Sequence, residues 1–121
     1  MAAGEQSIGI SAYAVTHRML KIGQNSIKCY YSYINYIYCY SVEGYLVGSI
    51  SFYPEGQVPE SRYSPGPKFD LCFESDKFQN IIDTFRYEKY ISVTICCEDN
   101  NIITEGDVIT CPEPVGEQEG V

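Results

Sequence analysis

The chain lacks most of the residues on which catalysis and metal binding usually rest. It has no tryptophan and one histidine, His17. Any Ser-His or Cys-His arrangement would therefore have to pass through that one residue. Its six cysteines (Cys29, Cys39, Cys72, Cys96, Cys97 and Cys111) include no Cys-x-x-Cys pair, so the usual zinc spacings are missing. There is no Gly-x-x-x-x-Gly-Lys phosphate loop and no dinucleotide glycine fingerprint. No apolar run reaches the roughly 18 residues that a membrane helix requires. Met1 to Ile10 has neither a basic flank nor an apolar core, so it does not read as a secretory leader. These absences set the expectations: no metal, no cofactor, no membrane partner, a cytoplasmic location, and most of the cysteines acting as small buried apolar residues.

Positive charge is also scarce. Eight lysines and arginines face sixteen acids, a formal net charge of −8. The imbalance is local. Glu98, Asp99, Glu105, Asp107, Glu113, Glu117 and Glu119 lie in a stretch with no base, whereas the first 97 residues are nearly neutral. An acidic surface repels phosphate backbones, so no nucleic-acid partner is expected. The acidic end reads as a solvated tail over 111–121, or alternatively as a mimic that occupies a basic partner.

What the chain has in excess is tyrosine. Seven of the sixteen residues from Tyr30 to Tyr45 are tyrosine. A tyrosine buries a large ring but needs a partner or water at its hydroxyl. One strand of a 121-residue domain cannot hide so many in a single core. Some must lie at a surface, a groove or a subunit interface.

Periodicity organises the rest. Ile8 to Ile22 alternates as a strand, and Gly23-Gln24-Asn25 supplies a turn. Ile27 to Val42 is dense in strand-forming residues, with Asn35 as a potential break. Glu43-Gly44 and the run Tyr45 to Tyr53 complete a hairpin. Gly48 inside that run predicts a bulge or a close approach by another backbone. Pro54 to Pro67, with four prolines, is a long loop of the kind that often carries function. Lys68 to Glu74 is a short strand. Phe78, Ile81, Ile82 and Phe85 fall at i, i+3, i+4 and i+7, an amphipathic helix over about 75–88, with Asp76-x-x-Gln79 resembling a capping box. Tyr90 to Cys97 and Ile102 to Ile109 are two further strands, the last weakened by Gly106. The order predicts a single α+β domain over 1–110, a mostly antiparallel sheet with one helix packed on one face. One helix leaves the tyrosine-bearing face uncovered, so a homo-oligomer, most simply a dimer, is expected.

The second half resembles a group of small uncharacterised bacterial proteins. The matching pieces are Gly48-Ser49-Ile50-Ser51-Phe52-Tyr53, the helix end Ile81 to Lys89, and the tail Glu113-Pro114-Val115-Gly116-Glu117. Phe85, Tyr87 and Tyr90 depart from the group's Leu, Asn and Pro. The resemblance implies a fold and the cargo of a mobile element, with no mechanism attached.

Three function classes follow. The first is a non-catalytic binding or interaction module for a protein or a small flat ligand. Tyr36, Tyr38 and Tyr40 share a strand face, Tyr45 and Tyr53 extend it across the hairpin, and Arg62 and Tyr63 reach it from the loop. Rigid phenols suit such a surface. The second class is an acidic inhibitor. The third is an enzyme built on His17. No catalytic residue is assigned.

Overall fold

The computed structural model describes residues 4–88 and 90–110. The predicted α+β class holds: strands dominate, and a single short helix packs on them. The strands form two sheets rather than one. β1 (Gly4–Ile10), β7 (Ile91–Cys97) and β8 (Ile103–Thr110) make an antiparallel sheet in the order β1-β7-β8. β2 (Ala12–Gln24), β3 (Cys29–Tyr40), β4 (Leu46–Tyr53), β5 (Arg62–Tyr63) and β6 (Phe69–Glu74) make a mixed sheet in the order β2-β3-β4-β6-β5.

The sequence run read as one strand is divided between these sheets. Ser11 alone separates β1 from β2, and its amide donates to the Tyr40 carbonyl at 2.9 Å. On the opposite side, Tyr63 N–H donates to Asn101 O at 2.9 Å and Ile103 N–H donates to Ser61 O at 2.9 Å. Arg62 bridges Ile102 there. The two sheets thus meet along both sides and enclose one core.

That core follows from alternation. On the inner face of the larger sheet, Val15, Ile37, Ile50 and Leu71 stand in one cross-strand row, and Tyr13, Cys39, Gly48 and Phe69 in the next. Val93, Ile95 and Ile103 close it from the smaller sheet. The helix, α1 (Phe78–Tyr87), presents Ile82 (0% exposed) and Phe85 (4%) to this interior. Phe78 meets Phe52 edge-on at 5.1 Å, and Phe85 meets Tyr13 edge-on at 5.3 Å. The capping box does not form. Ser75–Lys77 is a 3-10 turn, no side chain caps α1, and Gln79 donates to Asp83 instead.

β4 and β6 run parallel, because the 54–67 connection crosses the sheet end before the chain re-enters. Asn35 does not interrupt β3. What changes near it is the buried side: Ser32 and Ile34 are buried on one face, Ile37 and Cys39 on the other. The hairpin turn closes as expected, with Ser41 N–H donating to Tyr45 O at 2.9 Å and Gly44 at φ 90°. β8 persists despite Gly106, where an added Cβ would stand 2.6 Å from Leu71 Cδ2. The acidic tail, 111–121, lies outside the described residues.

Candidate functional site

The outer face of the larger sheet carries Tyr36, Tyr38, Tyr40 and Tyr53. Because side chains alternate along each strand, the register places residues in rows. One row is Ala14, Tyr38, Ser49, Asp70 and Arg62, crossing all five strands. The next is Thr16, Tyr36, Ser51 and Cys72. Small neighbours on either side leave room for the rings. Tyr36 and Tyr38 stack on each other with centroids 5.7 Å apart and planes 14° from parallel. Ser51 is only 2% exposed although it points outward.

A polar network lies beside the stacked pair. Ser49 Oγ donates to Asp70 Oδ1 at 3.1 Å and Ser51 Oγ donates to the same oxygen at 3.0 Å. Two hydroxyls on one oxygen hold the carboxylate still. The Cys72 amide donates to Ser61 Oγ at 2.8 Å, tying the proline-containing loop to β6. Tyr53 sits at the end of this face. Partial burial pushes its phenol up to about 12, with Cys72, Tyr36 and Asp70 adding to the rise and the Ser51 hydroxyl opposing it. Burial likewise raises the Cys72 thiol to about 11, helped by Asp70 and opposed by Ser61. Both groups are neutral at neutral pH.

A cleft of about 340 Å³ opens at the opposite end of the face from Tyr53, where β4 and β6 begin, lined by Leu46, Ser49, Arg62, Tyr63, Phe69 and Asp70 among others. A larger recess of about 390 Å³ lies elsewhere, around Gly9, Ser11, Val42 and Tyr90. It gathers no comparable set of polar side chains, so the chemistry favours the smaller one. Among the described residues no cluster of His, Cys, Asp and Glu could hold a metal.

The structure brings Tyr36, Tyr38, Tyr40 and Tyr53 onto one face, with Arg62 at its far edge. The Arg62 guanidinium pairs with Glu60 at 3.3 Å, both exposed, a contact worth at most about 1 kcal/mol. Tyr45 stands apart. It belongs to the turn, is 72% exposed, and lies past the end of the β3–β4 pairing. Tyr63 is only 7% exposed, because β5 turns that side of the loop against Phe69, and it joins the core while also lining the cleft. His17 donates from Nδ1 to Asn35 Oδ1 at 2.7 Å and meets Phe78 edge-on at 5.7 Å, a packing role.

Sequence reasoning missed Ser49, Ser51 and Asp70 as members of this site. Their signal was weak: each is the polar alternate of an apolar strand. Only the parallel β4–β6 register, which is non-local, aligns them. No protein-family model matches this chain, and no curated protein or solved structure matches it.

Proposed function

We propose that this protein is a non-catalytic, homo-oligomeric binding module whose ligand surface is the tyrosine-bearing outer face of the larger sheet. The observation that carries this reading is the stacked Tyr36–Tyr38 pair beside an Asp70 carboxylate immobilised by two serines. Stacked rings offer an apolar, rigid contact at low entropic cost. A fixed carboxylate accepts from an amino or amide donor. The matching ligand is a small flat aromatic compound with such a donor, and Arg62 is free to leave its weak exposed pair and close over it.

The test uses the chain's own fluorescence, since twelve tyrosines and no tryptophan make tyrosine emission the sole reporter. Titration with adenine, nicotinamide and a pterin should give saturable quenching for at least one. Tyr38→Ala should then weaken binding by about 1–3 kcal/mol, the range for aromatic stacking, and Asp70→Ala should weaken it further. Deleting 113–121 should matter little. Binding lost on tail removal and retained in Tyr38→Ala would reject this surface in favour of an acidic inhibitor.

A further inference from the structure

The tyrosine-rich region divides into two surfaces, and only one is the ligand face just described. β4 pairs with β3 only from Asn35 to Tyr40, whereas β2 and β3 stay paired out to Gln24 and Cys29. Residues 18–34 therefore form a two-stranded arm that runs past the end of β4, about 20 Å at strand rise, with Ser32 and Ile34 buried on one side. An isolated hairpin is marginal in water, yet this one has an ordered tip. Asn25 Oδ1 accepts from the amides of Ile27 and Lys28 at 2.8 and 3.0 Å, and Asn25 Nδ2 donates to Tyr30 OH at 2.9 Å.

The arm is apolar and basic at once. Met19, Ile22, Ile27, Tyr30, Tyr31 and Tyr33 are six of the fourteen large hydrophobic side chains exposed on the described surface. Such concentration marks a contact surface. The arm also holds Arg18, Lys21 and Lys28, and no acid occurs anywhere from Gln6 to Val42. Everything outside it is strongly acidic on balance. Its charges and the register shift between Lys21 and Gly23 discourage edge-to-edge strand pairing. Two arms side by side would also repel. Docking by side chains onto an acidic surface is what remains.

The chain supplies that surface. On the outer face of the smaller sheet, Glu5, Cys96 and Glu105 form one cross-strand row, and Ser7, Thr94 and Asp107 the next. Gly9, Ser92 and Ile109 complete a field of mostly small side chains with carboxylates at one end. Cys96 registers them: partial desolvation, then Glu5, Glu105 and Asp107, raise its thiol. The basic arm and this acidic field are complementary in sign.

We propose that the arm of one copy docks on the outer face of the β1-β7-β8 sheet of a second copy. Two copies that exchange arms reciprocally close a two-fold dimer, the commonest symmetric assembly. This inference rests on the homo-oligomer part of the reading above and names its surfaces.

Charge exchange tests it. Lys21→Glu with Lys28→Glu reverses the arm, and Glu105→Lys with Asp107→Lys reverses the face. All four residues are exposed, so the folds should survive, as circular dichroism would verify. By sedimentation at several concentrations, each reversal should weaken the dimer at least tenfold, and the chain carrying both should recover to within about threefold, as complementary interfacial charges do. A wild-type dimer that neither reversal disturbs, or that the combined chain fails to restore, overturns the docking mode and leaves oligomerisation standing. A wild-type monomer up to 100 µM, taken as about the weakest useful dimer, overturns both. Arm reversal that spares the mass but abolishes binding to a labelled DNA duplex would assign the arm to nucleic acid instead.

Discussion

Gly48 and Phe69 face each other across the parallel β4–β6 pair, and the Phe69 ring fills the space where Gly48 would carry a side chain. Gly48 is in an ordinary strand, so the requirement is for room rather than for backbone freedom. Gly48→Ala should destabilise by about 1–3 kcal/mol through overpacking. Phe69→Leu in the same chain should recover part of the loss. A denaturant midpoint unaltered by Gly48→Ala would mean that the ring yields freely.

The helix face should carry stability. Ile82→Ala and Phe85→Ala each remove a side chain from the enclosed core and should cost about 2–5 kcal/mol. Gln79→Ala, on the exposed side, should stay within about 0.5 kcal/mol. Equal melting temperatures for all three would show that α1 is held by something other than its apolar stripe.

Thiol reactivity should sort by environment. Cys29 is exposed, whereas Cys39 is fully buried and its thiol is pushed up to about 12 by desolvation. Among the described cysteines, iodoacetamide at pH 8 should label Cys29 first, and Cys39 only on unfolding. Peptide mapping that finds Cys39 labelled in the native protein would contradict the enclosed core.

Alkaline pH should weaken the fold. Tyr53 is raised from 10.0 to about 12, Cys72 from 9.0 to about 11 and Cys39 from 9.0 to about 12. Each group binds its proton more tightly when folded. The stability it contributes is complete below its unfolded value and is lost as pH rises through the folded one. The melting temperature should therefore fall progressively between about pH 9 and 12, and Tyr53→Phe with Cys72→Ser should flatten the fall. A level melting temperature through pH 11 would refute the linkage.

Local pattern was legible in the sequence where it depended on neighbours along the chain. The i, i+3, i+4, i+7 apolar spacing located α1, and the Glu43-Gly44 turn located the β3–β4 hairpin. Gly48 was legible as a close-approach site, although a ring rather than a backbone approaches it. Ser11 gave no such cue: nothing in Ile10-Ser11-Ala12 says that one strand serves two sheets. The inward turn of Tyr63 and the alignment of Ser49 with Asp70 depend on which strands lie side by side. Alternation fixes which residues share a face of one strand and leaves its neighbours undetermined.

The pairing of Gly4 with Cys97 has a consequence for synthesis. β1 leaves the ribosome some ninety residues before its partner β7, and β8 follows later still. The enclosure cannot close on a partial chain. Folding must wait until β7 and β8 have emerged, and such distant pairing is intrinsically slow. During that interval the nascent chain holds a β2–β3 hairpin with exposed tyrosines and no finished interior, which makes the unfinished polypeptide the form most in need of a chaperone.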